Sequence, residues 1–379
     1  MILCQTCKYI KDRRSDKMFL IYLRKYKIMI LFSVFFFYIG CGITLSFLRM
    51  DCADALSKTS KASLLSIPNV EYAVLITSAP VNEKKRDAIR ATWGKFATNI
   101  FLENGEVLYK WNHSQATYQT QHEQIKFYFC IGTEGLTDNE MQKLIDENKR
   151  STDLLLLENL KDSYQNLTKK ILLTMKWFSQ KVKGLKYVIK CDDDSFVRVD
   201  LIIRELEAFA PEMSSVEINK YVTHKRPLNK YQGLYWGYFN GKARVYLKGK
   251  WEEKDWFLCD NYLPYALGGG YVISSSIVQY IGNNAEFLRC YNSEDVSMGV
   301  WTAALDGINR VHDVRFDTEW KSRGCTKDML VRHKQTPSDM FLMYKTLVET
   351  HGEQLCKTEN TVRRSYYYNW NVLPSSCCK

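Results

Sequence analysis

The chain has 379 residues, 46% of them hydrophobic and 25% charged, with a formal net charge of +11 at pH 7. That length holds one large domain or two ordinary ones, and the composition excludes a disordered or collagen-like chain. The positive balance invites a nucleic-acid reading, but over half of it sits in the N-terminal leader (Lys8, Lys11, Arg13, Arg14, Lys17, Arg24, Lys25 and Lys27 against Asp12 and Asp16). No basic stripe interleaved with aromatics follows, so no nucleic-acid partner is expected.

The leader runs into 28-IMILFSVFFFYIGCGITLSFL-48, which carries no charge. As a helix at 1.5 Å per residue this stretch is about 31 Å long, enough to cross a hydrocarbon core. It exceeds the apolar part of a cleaved signal peptide, and a buried core helix rarely goes uninterrupted for a full span. A retained anchor is therefore expected. Basic residues precede it, while Arg49, Asp51 and Asp54 follow, which puts the N-terminus in the cytosol and the remainder in a lumen. The expected organisation is a basic tail (1–27), a signal-anchor (28–48), a small and polar stem (49–68), a lumenal domain (69–350) and a C-terminal extension (351–379) with no assigned role.

Beyond the span lie Cys52, Cys130, Cys191, Cys259, Cys290, Cys325, Cys356, Cys377 and Cys378. An oxidising lumen favours disulfides among them, and their odd number leaves at least one free or paired with another chain. Connectivity does not follow from spacing, and no CxxC pair points to zinc.

Past Pro68, apolar runs alternate with helical patterns. YAVLIT (72–77) reads as a strand and 83-EKKRDAIRATW-93 as a helix. IKFYFCIG (125–132) is the next strand, followed by a polar helix over 138–150 and a strand DLLLLE (153–158). Leu167, Ile171, Met175 and Phe178 then mark one helix face, and YVIK (187–190) a further strand. His312 and Asp313 are assigned to a turn. Strands alternating with helices predict an α/β domain with a mostly parallel central sheet, whose ligands gather at the carboxyl ends of the strands.

At one such end stands 191-CDDDSF-196. Along an extended segment Asp192 and Asp194 face one way and Asp193 the other. Two carboxylates on one face suit a hard divalent cation with positions left for phosphate oxygens, although a solvated turn explains them equally well. The calcium loop of an EF-hand is excluded, because its Gly and distal Glu are missing. In 261-NYLPYALGGGYVISSS-276, Gly268, Gly269 and Gly270 either admit a ligand close to the backbone or form a bulge. In 293-SEDVSMGVW-301, Glu294 and Asp295 are either catalytic carboxylates or ordinary helix capping.

Taken together, 77-TSAPVNEKKRDAIRATW-93, CDDDSF, YALGGGYVIS and SEDVSMG resemble, in order, the β-1,3-glycosyltransferase family that includes the fringe enzymes. The likeness covers about residues 70–345 and, through 234–272 and 316–340, is nearest to family members that build the proteoglycan linker. It implies a GT-A type fold that inverts UDP-galactose onto galactosyl-β-1,4-xylose of a core protein, in the Golgi lumen behind a type II anchor.

The resemblance further implies the roles at the site. Asp295 would be the base, with Glu294 as second choice or as an orienting or acceptor-binding residue. Mn2+ would be held by Asp194 and His333, with Asp192 either joining them or contacting ribose. Asp193 would face the donor sugar or the structural side. Thr77 and Ser78 would line the nucleotide pocket, with Gly269 and Gly270 close to substrate. From their own chemistry, Arg86 and Arg90, four apart on one helix face, either approach diphosphate or uracil or form a solvated basic face, and Tyr235 and Trp236 either stack on acceptor sugar or, as strand aromatics more often do, pack in the core. Asn112 is the better of two glycosylation sequons, Asn166 beginning a helix. The alternatives are another Golgi β-1,3-hexosyltransferase and a catalytically inactive sugar-binding protein.

Overall fold

The computed structural model describes residues 26, 32, 35–39, 70–97, 100–101, 107–109, 125–207, 222–224 and 233–378. The chain forms two units, Met1–Ser66 and Ile67–Lys379. In the first, the described positions are helical, and no helix among the described residues is long and apolar enough to cross a membrane. Most of the anchor expected at 28–48 lies outside the described residues, as do the stem at 49–68 and Asn112.

Among the described residues of the second unit eight strands form one sheet: β1 (Tyr72–Thr77), β2 (Ile125–Gly132), β3 (Leu154–Leu157), β4 (Tyr187–Asp192), β5 (Val222–His224), β6 (Gly233–Asn240), β7 (Tyr265–Ser274) and β8 (Ile308–Asp313). Their spatial order is β3-β2-β1-β4-β7-β6-β8-β5. The first four are mutually parallel, β6 and β8 are parallel, and β7 runs antiparallel to both β4 and β6. The expected α/β class with a mostly parallel sheet is thus found. His312 and Asp313 belong to β8 rather than to a turn, with His312 buried and its Nδ1 accepting the Phe239 N–H at 3.1 Å.

Among the described residues the unit has seven α-helices: α1 (Glu83–Ala91), α2 (Asp138–Ser151), α3 (Leu167–Lys181), α4 (Val199–Glu207), α5 (Ser275–Asn283), α6 (Glu294–Ala303) and α7 (Pro337–Glu349). Strand alternation divides the apolar residues between two cores. Val74, Ile76 and Ile189 pack with Ile89 of α1, Ile203 of α4 and Met340 of α7. Leu75, Val188 and Ile273 pack with Met175 of α3, Val278 of α5 and Met298 of α6. Each side chain so buried contributes roughly 1.5–3 kcal/mol relative to exposure.

Three features set up the site. Thr77, the last residue of β1, stands beside Asp192, the last of β4. Register slips within β7 between Ala266 and Tyr271, so the three glycines form a bulge. The short strand Val331–Arg332 pairs antiparallel with Phe196–Val197 and parallel with Phe316–Asp317, which carries His333 back to the aspartates.

The C-terminal extension is part of this unit. Cys356 is joined to Cys325, and Asn360–Thr361 pairs with Gly324–Cys325. Farther on, Tyr366 stacks on His312 and its hydroxyl donates to the Phe239 carbonyl. Cys377 and Cys378, bonded to each other, are buried against the end of β6, where Lys242 Nζ donates to the Cys378 carbonyl at 2.9 Å. Cys130 and Cys191 are buried thiols in β2 and β4, whereas Cys259 and Cys290 are exposed.

Candidate active site

A cavity of about 850 Å³ opens at the carboxyl ends of β1 and β4, lined among others by Thr77, Ser78, Asp192, Asp193, Asp194, Gly268, Gly269, Glu294, Asp295 and His333. Its position is the one that parallel-sheet physics predicts.

Asp192 and Asp194 do turn one way. The Nε2 of His333 lies 3.1 Å from Asp194 Oδ1 and 3.5 Å from Asp192 Oδ2. Thr77 Oγ1 (2.7 Å) and Lys190 Nζ (2.9 Å) donate to Asp192 Oδ1, which leaves its other oxygen toward the histidine. Burial would raise the Asp192 carboxyl, but the Lys190 and His333 charges and these hydrogen bonds hold it below its ordinary value. Burial would likewise lower the His333 imidazole, yet its bond to Asp194 and the charge of Asp192 hold it above.

Asp193 turns the other way. It accepts from Ser78 Oγ (2.9 Å), Asn82 Nδ2 (2.7 Å) and Lys85 Nζ (2.9 Å), and so ties the turn after β4 to the segment after β1.

The acidic pair lies at the start of α6. Asp295 Oδ2 accepts the Gly268 N–H at 3.1 Å and Oδ1 accepts its neighbour Val296's N–H at 2.9 Å. Burial, then the charge of Glu294, push its carboxyl up to about 7. Glu294 accepts from the Tyr271 hydroxyl and lies 3.3 Å from Lys190 Nζ. Burial raises its carboxyl, opposed by the Lys190 charge.

Lys190 was not anticipated as a site residue. Its side chain is sealed from solvent, and its ammonium donates to Asp192, to the Gly268 carbonyl at 2.5 Å and toward Glu294. The available signal was a lone charge inside an otherwise apolar strand, since buried lysines occur where they are paired.

The glycine bulge explains how these groups meet. A Cβ on Gly269 would stand 2.6 Å from His333 Cγ and Nδ1, and one on Gly270 would stand 2.8 Å from Val331. One on Gly268 would meet Glu294 and Asp295. The Ser195 hydroxyl donates to the Gly269 carbonyl at 2.6 Å, fixing the bulge to the aspartate turn.

Five expected substrate contacts are corrected. Arg86 is wholly buried: its Nε and Nη2 fork onto Glu147 of α2 at 2.7 and 2.6 Å, and Nη1 donates to Ser78 Oγ and the Ala79 carbonyl. Arg90 is held by Asp153, Glu147 and Asp87. A buried guanidinium needs such carboxylates, and both arginines serve as braces away from the cavity. Trp236, with Tyr235, is fully buried in β6, where the Trp236 indole donates to Asp313 at 2.9 Å. Gly270 pairs with Cys191 and faces Val331 rather than the cavity.

The galactosyltransferase family model matches residues 84–314. The chain belongs to the galactosyltransferase family. It is 40% identical over 339 residues to beta-1,3-galactosyltransferase 6 of Mus musculus, covering 89% of this chain and 92% of that protein. It is 29% identical over 202 residues to UDP-GalNAc:beta-1,3-N-acetylgalactosaminyltransferase 2 of Xenopus laevis, covering 53% of this chain and 37% of that one. It is 29% identical over 266 residues to hydroxyproline O-galactosyltransferase GALT2 of Arabidopsis thaliana, covering 67% and 34%. The chain is a glycosyltransferase enzyme.

A divalent cation fits this galactosyltransferase's aspartate turn. One donor atom from each of Asp192, Asp194 and His333 lies within 4.8 Å of the others. Donors on one octahedral cation with bonds of about 2.1 Å stand about 3–4 Å apart, close to this spacing. Two carboxylates with one imidazole suit a borderline transition metal better than magnesium, which prefers an all-oxygen shell.

Proposed function

We propose that this galactosyltransferase transfers galactose from UDP-galactose to the 3-hydroxyl of galactosyl-β-1,4-xylose on a core-protein serine, with inversion, and so extends the glycosaminoglycan linker of proteoglycans. The observation that carries the reading is the shared cavity, which holds both a cation-competent cluster and a carboxylate, Asp295, whose pKa of about 7 suits a base at neutral pH. The relative in Mus musculus, named for β-1,3-galactosyl transfer and matched along 92% of its length, supports the linkage and sugar.

The acceptor's 3-oxygen attacks C1 of the donor galactose, the bond from C1 to the UDP oxygen breaks, and the proton goes to Asp295. The Gly268 and Val296 N–H groups hold that carboxylate in place. Asp192, Asp194 and His333 would hold Mn2+, which when bound supplies positive charge against the departing diphosphate. Lys190 and Thr77 fix Asp192 so that its free oxygen stays turned toward the cation position. Ser78 and Asp193 brace the floor of the nucleotide side. We read the fold as the GT-A type, tethered as a single-pass type II protein of the Golgi membrane with its catalytic unit in the lumen, and Asn112 as its glycosylated residue.

The test is a panel in which the purified full chain is offered UDP-galactose, UDP-N-acetylglucosamine and UDP-N-acetylgalactosamine with galactosyl-xyloside, lactoside and N-acetylglucosaminide acceptors. The reading expects galactose transfer to the galactosyl-xyloside. Transfer confined to non-xylosyl acceptors would make it another β-1,3-hexosyltransferase, and sugar binding without transfer would make it a lectin.

A further inference from the structure

An unbroken aromatic wall runs from solvent to the base. Trp320 is 68% exposed at the cavity rim, so its ring is open to a ligand in the cavity. It meets Trp251 edge-on at 5.3 Å, and Trp251 meets Tyr246 at 5.6 Å. Tyr246 leads inward to Tyr262 at 6.3 Å, and Tyr262 to Tyr265 at 6.2 Å. Tyr164 lines the same cavity beside Trp251 and Ser293, and Ser293 is two residues from Asp295. Tyr262 and Tyr265 pack with Val296 in a small core of their own, whereas Trp320, Trp251 and Tyr246 stand outside it. The rim aromatics thus continue the wall beyond that core and along the cavity to solvent.

We propose that Trp320, with Trp251 and Tyr246 beside it, is the platform for the second, reducing-side sugar of the acceptor. This inference rests on the transferase reading above. With the terminal galactose's 3-hydroxyl at Asp295, the next pyranose extends toward the rim, where its flat C–H face stacks on an indole. Lys334 Nζ sits 3.3 Å over the Trp320 ring and donates to the Trp320 carbonyl at 2.6 Å, which fixes the ring and leaves the remainder of its surface open.

The C-terminal extension gains a role from the same geometry. Arg363 donates to Glu319 Oε1 and Oε2 at 3.2 and 3.0 Å and to the Lys321 carbonyl at 2.7 Å, on either side of Trp320. The Val362 N–H bonds the Arg323 carbonyl at 2.8 Å. The extension therefore positions the loop that presents the platform.

The experiment compares the full chain with Trp320→Ala, Trp320→Phe and Arg363→Ala, using methyl galactosyl-β-1,4-xyloside and methyl β-galactoside, whose aglycones cannot themselves stack. Trp320→Ala should raise KM for the disaccharide about tenfold, equivalent to about 1.4 kcal/mol. It should leave KM for the monosaccharide and for UDP-galactose within about twofold, since neither reaches the rim. Trp320→Phe should keep most of the disaccharide affinity, and Arg363→Ala should raise the same KM by less than Trp320→Ala. Saturation-transfer NMR with the two glycosides reads the platform without turnover. Equal effects on both glycosides, or none, would overturn the proposal. If the wild type used lactoside and refused the xyloside, the linker reading would fail, and the disaccharide-to-monosaccharide comparison on lactoside would still test Trp320.

Discussion

Lys190 Nζ stands 3.3 Å from Glu294 Oε2, and both side chains are sealed from solvent. The same ammonium holds Asp192, so one lysine joins the cation cluster to the acidic pair. Removing one member of a buried ion pair leaves an uncompensated charge, at a cost of about 3–5 kcal/mol. Lys190→Met should lower the unfolding free energy by that order in urea titration and abolish transfer. Lys190→Met combined with Glu294→Gln should recover most of the stability and none of the activity.

Gly269→Ala tests how His333 is aimed. A methyl group there would press on the imidazole at 2.6 Å, so the ring must move from Asp194. Losing an orienting contact of a metal ligand typically costs 10–100-fold in affinity, and Mn2+ binding followed by calorimetry should weaken by about that factor. An unchanged affinity would mean that the bulge has no part in aiming the ligand.

Much of this was readable from the chain, and the exceptions share a cause. Continuous apolar runs located β1, β2, β3 and β4, and alternation along YVIKCDDD separated Asp193 from its neighbours, because both depend on residues adjacent in sequence. Arg86 and Arg90 have helical spacing that defines a shared face, but their partners Glu147 and Asp153 lie about sixty residues on. Tyr235 and Trp236 offered a core place as well as a sugar platform, the core being the commoner fate of strand aromatics, and their position in the sheet decided for the core. The rim aromatics come from two loops, around 246–251 and at 320, whose meeting no local pattern encodes. The tail residues Tyr366, Cys377 and Cys378 gain meaning only from the surface of β6 that they cover.

The pH dependence follows from Asp295, whose carboxyl is pushed up to about 7 by burial and by Glu294. A base works deprotonated, so kcat/KM should be full above about pH 8 and fall about tenfold per unit below about pH 6. Asp295→Asn should lose about 10²–10⁴-fold in transfer while keeping Mn2+ and UDP affinity. The folded pKa lies above the unfolded value of about 3.9, so ionising Asp295 costs stability as pH rises between the two. The Asn variant should therefore melt at or above the wild-type temperature at pH 8.

The Cys325–Cys356 bond spans 31 residues and holds the segment that follows α7 to the strand that pairs with the tail. Closing a loop of that length is worth about 3–4 kcal/mol in the chain-entropy account. Cys325→Ser with Cys356→Ser should lower stability by that order in denaturant unfolding, with a rise in acceptor KM because Arg363 loses its anchorage.

The central claim is that Asp194 and its partners hold a cation required for the departure of UDP. It is tested most directly by galactose transfer in protein stripped with EDTA, then titrated with Mn2+, wild type beside Asp194→Ala. The account predicts that stripping silences the wild type, that Mn2+ restores it and that the Ala variant stays silent throughout. Undiminished transfer in EDTA, or an Ala variant as active as the wild type, would contradict it.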